Sequence, residues 1–187
     1  SGSGKTTLLN LILGLYPSKL NNIYIDGQPI RSNGNWRNKI GYVPQSIFLL
    51  DDSIRNNISF GRNKKTDDQQ KIINALKIAE LDTFVNSLSE GLETNVGEQG
   101  GKISGGQKQR IGLARALYDN PEVLIFDEAT SALDNQTETK IIKSILKLKG
   151  SKTIIMVAHR LTSLEGCDRI FNVKNNKVNL IENKLKS

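Results

Sequence analysis

The sequence predicts an α/β fold: a mostly parallel sheet flanked by helices, with an α-helical subdomain inserted into it. Three observations carry this. Two apolar runs, VLIF (123–126) and TIIMVA (153–158), have the length and composition of buried strands. They alternate with helix-patterned segments such as TTLLNLIL (6–13) and TETKIIKSILKLK (137–149), and strands separated by helices pair in parallel. From about Ser46 to Arg110 the chain is helix-rich and lacks strand signals. The expected division is an α/β core of residues 1–45 and 111–187, with residues 46–110 as the inserted subdomain.

The elements follow in order. A helix over Thr6–Leu13 is ended by Gly14 and Pro17. NIYIDGQPI (22–30) has β-prone alternation around Asp26-Gly27 and reads as a hairpin or an edge strand. KIGYVPQ (39–45) is a short strand stopped by Pro44. TDDQQKIINALKIAEL (66–81) opens with Thr66 and has Gln69 three residues on, a capping-box signature. Its stripe of Ile72, Ile73, Leu76 and Ala79 faces a core. DTFVNSLSE (82–90) continues as a second short helix. ISGGQKQRIGLARALYDN (103–120) is a glycine-bearing loop leading into a further helix. EVLIFDEA (122–129) is a buried strand ending in two acids, and KTIIMVAHR (152–160) another buried strand. Ile141, Ile145 and Leu148 stand in register on the amphipathic helix between them. DRIFNVKNNKVNLI (168–181) reads as a hairpin across Asn175-Asn176.

At 187 residues the chain is long enough for one domain with a core. A net charge of +7 allows an anionic partner, but no dense Lys/Arg run occurs, and a solvated, Lys- and Asn-rich surface accounts for it. No nucleic acid is expected. The single cysteine, Cys167, has no partner for an internal disulfide, which suits a reducing compartment. No run approaches the ~20 apolar residues of a membrane span. No secretory signal opens the sequence. If the protein serves a membrane, the membrane part is expected outside this chain.

Four local patterns carry chemistry. SGSGKTT (1–7) matches the second half of the phosphate-binding pattern G-x-x-x-x-G-K-[ST]. Glycines let the backbone approach phosphates, successive N–H groups form an anion nest, and the following helix adds about half a positive charge. Lys5 would reach the β- and γ-phosphates, and the Thr6 hydroxyl would bind Mg²⁺. Asp127 and Glu128 end a strand whose carboxyl edge is where α/β proteins bind ligands. Asp127 there would hold Mg²⁺, and Glu128 would orient and deprotonate water; a plain helix start is the alternative. Ser104, Gly105 and Gly106 open a helix, giving a second anion-binding N-terminus or simply a capped turn. His159, the single histidine, follows the second buried strand, where a neutral imidazole would donate to a γ-phosphate; the alternative is an ordinary satisfied side chain.

In combination and order, SGSGKTT, YVPQ, ISGGQKQR, VLIFDEATSALD and VAHR resemble the nucleotide-binding domain of ATP-binding cassette (ABC) transporters, over nearly the whole chain. The resemblance implies a P-loop NTPase-like fold and an ATPase that uses Mg²⁺ and is coupled to transport. It identifies Gly2, Ser3, Gly4, Lys5, Thr6 and Thr7 with the Walker A loop, and Ser104, Gly105, Gly106 and Gln107 with the signature motif. Gln45 resembles the Q-loop glutamine, which contacts Mg²⁺ and the attacking water and senses the membrane domain. Asp127 resembles the Walker B aspartate, Glu128 the general base, Asp134 the D-loop aspartate at the dimer interface, and His159 the H-loop switch. The implied metal ligands are therefore Thr6, Gln45 and Asp127, and the implied catalytic residues Glu128, His159 and Gln45.

Ile103 and Thr6 stand where the family usually has Leu and Ser, both mild changes. The start of Walker A, its feeding strand and the family's adenine-stacking aromatic are expected upstream of Ser1. TNVGEQG (94–100) resembles the exporter loop T-x-V-G-E-x-G, and DDSIRNNISFG (51–61) the exporter pattern after the Q-loop. These imply an exporter or flippase, with a second nucleotide-binding domain arranged head to tail and ATP sandwiched between Walker A and the partner's signature. They also imply a transmembrane domain, expected to be fused upstream, and a place at the cytoplasmic face of the membrane. Two rivals are a soluble ABC-type ATPase acting on DNA or ribosomes, and a non-hydrolytic regulatory module. The first would carry coiled-coil insertions or tandem cassettes; the second would be expected to lack Glu128 or His159. An isolated chain of this extent can also lack activity whatever its parent does.

Overall fold

The computed structural model of the chain describes residues 4–16, 23–30, 35–61, 68–130, 133–158, 161–174 and 177–181. In chain order its elements are α1 (Lys5–Ile12), β1 (Tyr24–Ile25), β2 (Gln28–Pro29), α2 (Asn35–Asn38), β3 (Ile40–Val43), α3 (Ile54–Ile58), α4 (Gln69–Ile78), α5 (Asp82–Ser87), α6 (Gly105–Leu117), β4 (Val123–Asp127), α7 (Asn135–Leu146), β5 (Thr153–Val157), β6 (Ile170–Lys174) and β7 (Lys177–Ile181). They fall into two compact units, residues 1–40 with 157–187, and residues 41–156.

In the first unit α1 starts at Lys5, one residue before the sequence reading, and buries Leu9. Its end is a Schellman motif. Gly14 takes the left-handed conformation (φ 71°), its N–H donates to the Leu11 carbonyl at 3.0 Å, and the Leu15 N–H donates to the Asn10 carbonyl at 2.9 Å. Glycine supplies that conformation without a Cβ penalty, so Gly14 stops the helix as expected; Pro17 lies outside the described residues. Two further carbonyls at this end accept from side chains: Ile12 from the Trp36 indole N–H and Gly14 from the Arg37 guanidinium, each at 2.6 Å. These bonds satisfy groups that a helix terminus leaves open.

β1 and β2 form the anticipated hairpin, with Tyr24 opposite Pro29. Asp26 (φ 50°) and Gly27 (φ 76°) are both left-handed, as a two-residue type I′ turn requires. β6 and β7 pair antiparallel from Ile170–Ile181 to Lys174–Lys177, so Asn175-Asn176 connect them as expected, although those two residues lie outside the described set.

The second unit holds a three-stranded parallel sheet of order β3-β4-β5, flanked by helices. β4 is buried from Val123 through Phe126, as its unbroken apolar run demands. β5 departs from expectation, being half-buried with Thr153 exposed. The strand order explains this, because β5 ends the sheet and pairs on one side only among the described strands. β3 lies tight against its surroundings at Gly41, where any Cβ would overlap the Ala116 carbonyl oxygen and crowd Leu124.

One apolar core runs through this unit, including Val43, Leu49, Ile54, Ile58, Ile72, Leu81, Ile111, Leu124, Ile141 and Ile145, all at most 1% exposed. Burying each such side chain contributes about 1.5–3 kcal/mol. The stripe on α4 behaves as predicted: Ile72, Leu76 and Ala79 are buried and Ile73 half-buried. Its cap does not. α4 is capped by Asp68, whose carboxylate accepts from the N–H groups of Gln70 and Lys71 at 2.9 and 3.4 Å. Aspartate is a strong N-cap and stands two residues closer to the apolar stripe; Thr66 lies outside the described residues.

A polar network crosses this core. The Arg115 guanidinium on α6 donates to the carbonyls of Asn57 and Phe48 at 2.7 and 2.9 Å, and to the Asn57 side-chain oxygen at 3.1 Å. It also stacks over the Phe60 ring at 4.8 Å. Asn57 is fully buried, and its amide donates to the carbonyls of Leu50 and Ser53. Burial pulls the Arg115 pKa below its ordinary value. No helix among the described residues is long and apolar enough to cross a membrane.

Candidate functional site

Candidate residues lie in each unit. In the first, Gly4 occupies the N-cap of α1 in the left-handed conformation (φ 93°), and no side chain caps the helix. Glycine both permits that turn and leaves the first-turn N–H groups without a competing side-chain oxygen. Lys5 is half-buried, and Thr6 and Thr7 are exposed. Helix dipole and N–H groups together make this terminus attractive to anions. Gly2, Ser3 and His159 lie outside the described residues.

In the second unit the ends of β3 and β4 meet. Asp127 closes β4, and the Tyr42 hydroxyl on β3 donates to its Oδ2 at 3.3 Å. Burial first, then the Asp127 charge and this hydrogen bond, raise the Tyr42 pKa above its ordinary value, so the phenol remains a donor. Beyond Pro44, the Gln45 amide Nε2 donates to Glu128 Oε2 at 2.9 Å. Glu128, the first residue past the strand, has a left-handed backbone (φ 52°). That conformation is uncommon for a residue with a Cβ and recurs where function constrains the backbone. Both acids are thus held by residues from the end of β3.

The signature-like segment forms the N-terminus of α6. The Ser104 hydroxyl accepts from the Gln107 N–H at 3.2 Å, and the Gln107 side-chain oxygen accepts from the Ser104 N–H at 2.8 Å. This complete capping box bears out the capped-turn reading of Ser104. It engages the N–H groups of Ser104 and Gln107, not those of Gly105 and Gly106 between them. Ser104 and Gly105 are exposed, so the anion-binding reading stands beside the cap. A Cβ on Gly106 would meet Leu133, which places the residue before Asp134 against this turn. Asp134 caps α7 by accepting from the Thr137 N–H at 2.9 Å; hydrogen bonding from the Thr137 side chain first, and from this N–H next, lowers its pKa.

The oxygen donors at the end of β4 fit a hard cation. Among the described residues no three or more His, Cys, Asp or Glu cluster as a metal cage. The Asp127 carboxylate and the Gln45 amide oxygen are the kind of donors that Mg²⁺ uses when phosphates and water complete its shell. Sequence reasoning singled out Gln45, Asp127 and Glu128 but missed Tyr42. The available signal was an aromatic with a polar tip near the end of the strand that precedes Gln45.

Comparison with known proteins identifies the family. The family model for the ABC transporter matches residues 1–131. An ATP-dependent lipid A-core flippase of Francisella novicida is 44% identical over 180 residues, which are 95% of this chain and 30% of that protein. The flippase of Saccharophagus degradans is 42% identical, again over 95% of this chain and 30% of the relative. A solved bacterial Atm1-family ABC exporter with ATP bound superimposes with a TM-score of 0.84 at 36% identity, covering 96% of this chain and 32% of that one. The chain therefore spans about 30% of the length of the curated relatives it matches. Matched by family model, by sequence and by structure, the chain belongs to the ABC transporter family and carries its P-loop NTPase-like α/β fold.

Proposed function

We propose that this chain is the ATP-hydrolysing domain of an exporter that moves or flips a substrate across a membrane. The observation that carries the reading is the Gln45–Glu128 hydrogen bond beside Asp127 at the end of β4. ATP is the substrate. Gly2–Thr7 wrap its phosphates, with Lys5 at the β- and γ-oxygens and α1 directing its N-terminus at them. The Thr6 hydroxyl, the Asp127 carboxylate and the Gln45 amide oxygen would hold Mg²⁺, which would supply positive charge to the phosphates. Glu128, steered by Gln45, accepts the proton of the water that attacks the γ-phosphorus. The bond to the ADP oxygen breaks and inorganic phosphate leaves. His159 is assigned the role of hydrogen-bond donor to the γ-phosphate.

One such loop leaves γ-phosphate oxygens for further donors. The N–H groups at Gly105 and Gly106, outside the capping box, suit that role in a second copy placed head to tail, with Asp134 along the interface. Binding energy across two such sites closes the pair and hydrolysis releases it, a cycle able to push a membrane domain between conformations. The exporter reading is supported locally. Residues 94–96 join the segment after Gln45 through Ile54 N–H to Thr94 O (3.0 Å) and Val96 N–H to Asp52 O (3.1 Å), so the two exporter-like stretches are one piece of structure. We place the membrane domain on the same polypeptide and this domain at the cytoplasmic face.

Replacing Glu128 by Gln in the full-length protein tests the proposal. Turnover should fall about 10²–10⁴-fold while ATP binding persists. Parental turnover in that variant would overturn the assignment of the base.

A further inference from the structure

Resting on the reading of Asp127 as a Mg²⁺ ligand, we propose that Tyr42 is a positioning residue that sets the Asp127 carboxylate for the cation. The geometry is direct: the phenol hydroxyl donates to Asp127 Oδ2 at 3.3 Å. Tyr42 stands on β3, which neighbours β4 in the sheet, and its own strand is fixed by Gly41 packed under the Ala116 carbonyl and by fully buried Val43. The hydroxyl is therefore presented from a rigid element rather than from a loop. A carboxylate at a strand end rotates about its terminal bond. A hydrogen bond to one named oxygen restricts that rotation and fixes which edge of the group faces the ligand. Mg²⁺ tolerates little departure from octahedral geometry, so a wandering carboxylate costs it affinity. Tyr42 touches neither phosphate nor water in this scheme; it acts through Asp127.

The test is a metal titration in the full-length protein carrying Glu128→Gln, with ATP bound, using Mn²⁺ as the paramagnetic substitute and reading bound ion by electron paramagnetic resonance. Adding Tyr42→Phe, which keeps the ring and removes the donor, should raise the half-saturating Mn²⁺ concentration about three- to tenfold. ATP affinity measured in EDTA should not move. In an Asp127→Asn background the same Tyr42→Phe change should have no further effect. Full additivity of the two substitutions would overturn the proposal even if Tyr42→Phe also lowered stability. A Tyr42→Phe titration that overlays the parent, while Asp127→Asn shifts it, would overturn the positioning role and leave the metal assignment standing. If Asp127→Asn overlays the parent too, the reading of Asp127 itself fails.

Discussion

Gln45 and Glu128, 83 residues apart in sequence, are joined by a 2.9 Å hydrogen bond from the glutamine amide to the glutamate carboxylate. The amide nitrogen is the donor and the carboxylate oxygen the acceptor, a neutral group facing an acid. Replacing Gln45 by Glu puts two carboxylates in contact. Like charges at that range disfavour joint ionisation, so a proton stays on the pair to higher pH. The acid limb of the pH–rate profile for ATP hydrolysis should move up by about one unit or more. Steady-state turnover measured across pH checks this; an unmoved limb would mean that Gln45 and Glu128 do not meet in the working protein.

Ser104 has two roles that substitution can separate. As N-cap of α6 it accepts from Gln107, and its replacement by Ala should cost about 1 kcal/mol of stability. Aspartate caps as well as serine, so Ser104→Asp should melt close to the parent. It also places a negative charge where the proposed phosphate chain of the second copy arrives. Thermal melting should rank Ser104→Asp above Ser104→Ala, whereas ATP-driven dimerisation, read by light scattering, should be weaker in Ser104→Asp. Equal dimerisation in both variants would leave only the cap.

Asp134 gives a pH dependence whose sign is fixed. Its carboxylate is held below its ordinary pKa by hydrogen bonds from the Thr137 side chain and then the Thr137 N–H. A depressed folded pKa contributes stability above the ordinary value of 3.8, and that contribution is lost as pH falls through the lower folded value. Asparagine still caps but does not titrate there. Near neutrality the parent should melt above Asp134→Asn, and the gap should close in acid below about pH 4. A gap that persists undiminished at pH 2 would exclude this origin.

What could be read in advance follows from the range of each interaction. The α4 stripe, the Asp26-Gly27 hairpin and the Gly14 stop are local, set by residues within about two turns of each other, and all three are present. Asp127 and Glu128 were legible because an apolar strand ending in acids is a local pattern. The left-handed backbone of Glu128 was not, since nothing in VLIFDEA announces a positive φ at a glutamate. The Tyr42–Asp127 bond spans 85 residues and the Arg115–Asn57 pair 58, so both depend on strand order and helix packing that no local period encodes. Half-burial of β5 likewise reflects its place at the end of the strand order rather than its composition.

Arg115 is where that hidden layer has its largest measurable consequence. Its three hydrogen bonds tie α6 to Phe48 and Asn57, and no shorter cation can reproduce the fork. Lysine would reach at most one of these acceptors and lose the planar stacking on Phe60. Removing the guanidinium leaves the carbonyl of Asn57 inside the core without its donor, and an unpaired buried acceptor costs about 1–3 kcal/mol. Arg115→Lys should therefore lower stability by about 2 kcal/mol and Arg115→Met by about 3 kcal/mol, read as a fall in the urea midpoint at constant slope. Because Asn57 is the shared partner, Asn57→Ala and Arg115→Met together should cost clearly less than the sum of the two. Additive losses would show that the guanidinium and the buried amide act independently, and the network would then be no more than two separate contacts.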